Sequence, residues 1–158
     1  MGMHPEFSKR MVLLQLAEAQ RQAGLFDNNV VAEEITYPNL YIRFKNVHGH
    51  TRLLRFECTD YDLQGMAIGP VHPLSRTSLN ANEWMLRRDP QGGRQIFPTH
   101  PLLQNAPFLC FEGNREYFQH PSHLPVLGGK RWESWRNQMR LAAVIGFIKE
   151  RLSTGAWE

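Results

Sequence analysis

Residues 40–59 read LYIRFKNVHGHTRLLRFECT, and their apolar positions recur at every second residue. Leu40, Ile42 and Phe44 alternate with Tyr41, Arg43 and Lys45. Past His48-Gly49-His50, Leu54, Phe56 and Cys58 alternate with Arg55, Glu57 and Thr59. A period of two puts one face of each run in a core and the other toward water, so the pair reads as an antiparallel hairpin. The same alternation sets Cys58 on the apolar face, as a small buried hydrophobe rather than a reagent.

Working outward, a third strand is expected over Met66–Val71, closed by Pro70 and Pro73. On the N-terminal side the period changes to that of a helix over Pro5–Gly24. Val12, Leu16, Ala19 and Ala23 form its apolar row, with Phe7, Met11 and Leu14 widening the stripe. Pro5 suits a first helical turn and Gly24 a C-terminal stop, leaving Met1–His4 loose. On the C-terminal side a second helix is expected over Trp132–Leu152. One apolar row is Leu141, Ile145, Ile148 and Leu152, and another is Trp135, Met139 and Ala142. Between strands and helix the pattern weakens. Asp89-Pro90-Gln91-Gly92-Gly93 is a loop, and Pro98, Pro101 and Pro107 keep the next stretch extended. The order is α+β in one domain spanning 1–158: N-terminal helix, antiparallel β-meander, long loop, C-terminal helix packed on the sheet.

At 158 residues the chain is long enough for one sizeable core, and 42% hydrophobic against 21% charged residues argues against wholesale disorder. No apolar run approaches the roughly 18 residues that a membrane helix needs, and the N-terminus lacks a charged-then-apolar signal layout. Two cysteines form neither a disulfide framework nor a four-thiolate zinc site, which favours a reducing cytoplasm. The net charge is +3, from mostly arginine cations spread along the chain. Nucleic-acid binders more often carry a basic stripe with interleaved aromatics, and the nearest feature is Lys130–Arg140 with Trp132 and Trp135. Those tryptophans, at helical spacing, read as core or interface residues. No nucleotide or flavin fingerprint is present, so no cofactor, nucleic acid or membrane partner is expected. An acidic protein face is as compatible with the basic balance.

Chemistry concentrates in Thr99-His100-Pro101-Leu102, Phe108-Leu109-Cys110-Phe111-Glu112-Gly113 and His120-Pro121-Ser122-His123. A thiol where a loop meets an apolar stretch becomes a nucleophile when a neighbour lowers its pKa or takes its proton. His and Arg are the residues that do so, and His100, His120, His123 and Arg115 all lie near Cys110 in sequence. Phe108–Phe111 reads equally as a short core strand with Cys110 as filler. Zinc is the rival chemistry: Cys110, His120 and His123, with His100 or His72 as a fourth, are acceptable ligands, in a structural or a hydrolytic domain. A Cys–His hydrolase is a further option.

A helix, a meander, a long extended loop with His100-Pro101, Cys110 ten residues past that His, and a Trp leading into a helix together resemble a ubiquitin-conjugating enzyme. That family has a His-Pro-Asn tripeptide at this spacing from its active-site Cys. Asp60-Tyr61-Asp62-Leu63-Gln64 followed by Met66–Val71 is similar to the family's Tyr/Pro-rich approach to its third strand. With one helix past the Cys, the chain is most similar to compact bacterial members. The resemblance implies that Cys110 takes a ubiquitin-like protein from an adenylating activating enzyme as a thioester and passes it to an amine on a target protein. It also implies a deconjugating metalloprotease in the same system and a role in antiphage defence. Lys9, Arg10 and Arg21 on the first helix, with the adjoining hairpin, are then where the activating enzyme docks, or else a solvated face. The family's Asn is replaced by Leu102, so Asn105, Asn114 or backbone N–H groups after Cys110 are candidates to steady the oxyanion. No acidic residue matches the family's downstream one. His120 or His123 is the candidate to deprotonate the attacking amine. His100 reads as a loop-bracing residue rather than a proton carrier. A non-catalytic adaptor with the conjugating fold is the alternative binding role.

Overall fold

The computed structural model describes residues 2–80, 83, 99–102, 106–107, 109–124 and 131–153. Asn105, Phe108, the loop over 89–93, Gly128, Gly129 and Trp157 lie outside the described residues.

The alternating runs pair as expected. Helix α1 (Pro5–Arg21) precedes a sheet of β1 (Val30–Thr36), β2 (Asn39–Lys45), β3 (Thr51–Glu57) and β4 (Ala67–Val71). The sheet is antiparallel throughout in the order β1-β2-β3-β4, so it is a meander. In the β2–β3 register Leu40 faces Phe56 and Ile42 faces Leu54, which stacks the apolar positions on one face. All four are buried, as are Phe44 and Cys58. Gly49 turns the hairpin at φ +84° while the Asn46 side chain accepts from the His48 and His50 N–H groups. The chain continues through β5 (Thr99–His100), β6 (Ala106–Pro107), α2 (Arg115–Gln119), 3-10 turns at Pro121–His123 and Trp132–Ser134, and α3 (Leu141–Ser153). Residues Leu141, Val144, Ile145, Ile148 and Leu152 of α3 are buried, and α3 packs against both β2 and α1. The α+β arrangement of N-terminal helix, antiparallel sheet and C-terminal helix is therefore present. No helix among the described residues is long and apolar enough to cross a membrane.

Four expectations need correction. The meander has a strand ahead of the hairpin: β1 is an edge strand, exposed from Glu33 onward, and its pairing shifts between Ala32 and Glu34, so it carries no clean alternation. The C-terminal helix begins at Leu141, not Trp132. Trp132 turns inward, its indole N–H donating to the Asp62 carbonyl at 3.0 Å. The Leu141 N–H at the start of α3 is bonded instead by the Gln15 side chain at 2.9 Å. Phe7 and Leu14 are exposed rather than part of the core, because the buried side of α1 is the one that carries Val12, Leu16 and Ala19. Met3 and His4 are tied down: the Met3 N–H donates to Asp60 at 2.9 Å and the His4 ring caps α1.

Candidate active site

Cys110 sits between two buried neighbours. Leu109 and Phe111 point into the core while the Cys110 side chain is exposed, so it is not filler in a core strand. Three devices hold this arrangement. Phe111 stacks on Phe147 of α3 at 4.4 Å with the rings 7° from parallel. Gly113 lets the chain pass that ring, because a Cβ there would lie 2.3 Å from a Phe111 ring carbon. Asn114, fully buried, donates from Nδ2 to the Leu109 carbonyl at 2.9 Å. Its Oδ1 accepts from the N–H of Ile68 in β4 at 3.1 Å and caps α2 at the Glu116 N–H. The loop that presents the thiol is thus bolted to the sheet by one amide. That amide points inward, which places it in a bracing role rather than over the Cys110 sulfur.

Arg115 follows the same inward logic. Its guanidinium donates to the carbonyls of Gly65 and Thr59 and to the Glu57 carboxylate, at 2.7–2.8 Å, so it ties α2 to the sheet and is not directed at Cys110.

The histidines divide by role. His100 is buried and both ring nitrogens are engaged. The Leu102 N–H donates to Nδ1 at 3.2 Å, which makes Nδ1 the acceptor, and Nε2–H then donates to the Glu116 carbonyl at 3.1 Å. Burial holds its pKa below the usual histidine value despite the Glu116 bond. His120 accepts at Nδ1 from the Ser122 hydroxyl at 2.7 Å and the Ser122 N–H at 3.2 Å, capping the Pro121–His123 turn.

His123 reaches the thiol, its Nε2 lying 3.6 Å from the Cys110 sulfur. The ring is held flat against Tyr117 of α2 at 3.9 Å and 15°. Partial burial pulls the His123 pKa below the ordinary value and nearby His120 adds to this, while Glu112 opposes both. His123 is therefore neutral at neutral pH, the form that can take a proton from a thiol. Tyr117 is a part of this site that the sequence did not point to, and Glu112, which lies in the Cys110 stretch, had no role assigned: burial raises the phenol's pKa, and the negative charge of Glu112 and of Cys110 adds to it. An aromatic six residues before a histidine carries no signal until a helix and a turn fold the two together.

The zinc arrangement does not assemble. His100 and His120 meet edge to face at 5.2 Å between ring centres, and His120 and His123 lie 5.4 Å apart, a chain of rings rather than a ring of ligands. Among the described residues no group of three or more His, Cys, Asp or Glu is placed to hold a metal ion. His72 is elsewhere, paired with Glu83 at 2.6 Å. The first backbone donor after Cys110, the Phe111 N–H, bonds the Leu109 carbonyl at 3.1 Å.

The described geometry is a solvent-facing thiol with a neutral imidazole clamped beside it, on a loop fixed to the sheet from below. Such a pair can form a thiolate, attack an acyl carbon and hold the acyl group at the surface. No protein-family model and no curated protein matches the chain.

Proposed function

We propose that the protein is a ubiquitin-conjugating-like enzyme in which Cys110 carries a ubiquitin-like protein as a thioester. The observation that carries this reading is the exposed Cys110 sulfur, flanked by two inward-pointing apolar residues and 3.6 Å from the His123 Nε2. A carrier thiol must admit a bulky acyl donor and then a bulky acceptor, which an exposed loop position permits and a cleft does not. Cys110 attacks the thioester on the activating enzyme, its proton passing to His123, and that enzyme's cysteine leaves as a thiolate. Exchange between two thioesters is nearly isoenergetic, so catalysis lies in positioning and desolvation. His100 and Asn114 brace the loop. Lys9 and Arg10, beside the exposed apolar side chains of Phe7 and Leu14 on α1, supply the docking face for the activating enzyme. The target receives the ubiquitin-like protein on an amine, within an antiphage system that also holds a deconjugating metalloprotease, in the cytoplasm.

The test is thioester charging. The protein is mixed with ATP and with an adenylating enzyme and a ubiquitin-like protein from the same organism, then run on a non-reducing gel. A thiol-sensitive adduct that survives Cys58→Ala and disappears with Cys110→Ala is the expected result. No adduct from a folded protein overturns the carrier role.

A further inference from the structure

The same site carries a statement about its acceptor, which rests on the thioester reading above. An amine becomes a competent nucleophile once it is neutral and desolvated, and then adds to a thioester without further help. A hydroxyl is different: its proton must leave as its oxygen attacks, so it needs a base within hydrogen-bond reach of the reacting carbon. A carrier thiol with no resident base is accordingly selective for amines.

Cys110 has such a base. His123 Nε2 is 3.6 Å from the sulfur, and an acyl carbon bonded to that sulfur sits one bond away from it, beside the same nitrogen. The imidazole is not free to swing. It stacks on Tyr117 at 3.9 Å, and the backbone of His123 is itself held, its main-chain N–H donating to the His120 carbonyl at 2.9 Å within the 3-10 turn opened by Pro121. Glu112, whose charge favours the protonated ring, is placed to stabilise the imidazolium that forms as a proton is taken. A thiol that needed only a proton acceptor during loading could use solvent. A ring fixed at the sulfur remains in place once the thioester is formed.

We propose that the Cys110 thioester is discharged onto hydroxyl groups, serine or threonine side chains, as well as onto amines, with His123 as the general base for the hydroxyl. The hydroxyl oxygen attacks the thioester carbonyl carbon while its proton passes to His123 Nε2. The tetrahedral intermediate collapses with cleavage of the carbon–sulfur bond. The Cys110 thiolate leaves and takes the proton back from His123, so the products are an ester and the free thiol, with no change of oxidation state.

The experiment needs no partner protein. The full-length chain is acetylated at Cys110 with p-nitrophenyl acetate, and Cys110→Ala serves as the blank. After removal of excess reagent, discharge is followed by intact mass in buffer alone, with N-acetylserinamide, and with Nα-acetyl-lysinamide. The expected result is formation of both the serine ester and the lysine amide. His123→Gln should slow ester formation and hydrolysis about a hundredfold, in the usual range for loss of a general base, and amide formation less than tenfold. Independently of any variant, ester formation in the unaltered protein should rise with pH through an inflection below the usual histidine pKa of about 6.5. Amide without ester, or ester formation indifferent to His123 and to pH, overturns the acceptor proposal and leaves the carrier role standing. Failure of Cys110 to acetylate overturns both.

Discussion

Asn114 is the residue on which the geometry of Cys110 depends most directly, since one side chain bonds the Leu109 carbonyl on one side and the Ile68 N–H on the other. Replacing it with Asp keeps the acceptor for Ile68 but removes the donor to Leu109 and places a carboxylate at a fully buried position. Asn114→Asp should lower unfolding free energy by about 3 kcal/mol, as measured by urea unfolding, because a buried carbonyl loses its partner and a charge is desolvated. An unchanged midpoint would mean that the loop is held by something else. The two thiols give a second prediction at this scale. Burial raises the Cys58 pKa to about 12 and the side chain is fully enclosed, its carbonyl held by the Ser8 hydroxyl at 3.0 Å. Iodoacetamide at neutral pH should therefore modify one thiol of the folded protein and two in denaturant. Native labelling should vanish with Cys110→Ala; two labels on the native protein would contradict the burial of Cys58. This difference was legible in the sequence for Cys58, whose place in an alternating strand decides its burial. For Cys110 it was not, because core filler and exposed nucleophile share the same string and only the Phe111–Phe147 stack and the Asn114 bolt separate them. The proximity of histidines to Cys110 could be read, but which ring turns to the sulfur could not. The outcome depends on hydrogen bonds from Leu102 and Ser122 that occupy His100 and the near side of His120.

At the scale of elements, the helices are joined by polar contacts that hydrophobic patterning does not reveal. Gln15 of α1 accepts at the same oxygen from the Tyr61 hydroxyl at 2.7 Å and from the Leu141 N–H at the start of α3. The second of these two hydrogen bonds explains why α3 begins where it does. It also explains why the tryptophan row from Trp132 misled the helical reading: Trp132 and Trp135 have helical spacing, but they belong to a turn whose indole is committed to Asp62. Strand β1 was hidden for the opposite reason. An edge strand buries little, so Glu33 and Glu34 are tolerated and the period-two signature is lost, whereas β2 and β3 lie inside the sheet and must show it. The junction between the thiol loop and α3 can be probed at Gly113. A methyl group there meets the Phe111 ring at 2.3 and 2.7 Å and Val144 Cγ2 at 2.9 Å, and the ring cannot yield without losing its stack on Phe147. Gly113→Ala should lower stability by about 2 kcal/mol in equilibrium unfolding, the ordinary range for overpacking. It should also change the alkylation rate of Cys110, which rides on the same turn. A variant as stable and as reactive as the parent would refute the close packing.

For the whole molecule, the buried histidine makes stability depend on pH with a definite sign. His100 is enclosed and neutral, and its folded-state pKa lies below the unfolded value of about 6.5. Below that value the unfolded chain binds a proton that the folded chain refuses, so stability falls as pH falls and the loss is complete only once the folded pKa has been passed. His123 shifts the same way and adds to the slope. Carboxyl groups act on both sides. Burial raises the pKa of Glu116 and of Asp62, so each favours the folded state more as it becomes protonated, opposing the histidines in mildly acidic solution. Asp27 is held below its ordinary value by Lys149 of α3, and its contribution is lost only in stronger acid. The wild-type curve alone therefore cannot isolate His100, but a variant can. His100→Gln can retain an N–H donor toward the Glu116 carbonyl and removes the titration. The difference in unfolding free energy between wild type and His100→Gln, measured by urea at pH 7.5, 6.5 and 5.5, should shrink as pH falls, because only the wild type loses the share that depends on a neutral imidazole. A gap that stays constant across this range would mean that His100 remains equally protonated in the folded and unfolded chains. The loop between β5 and α2 would then not be braced by a buried neutral ring.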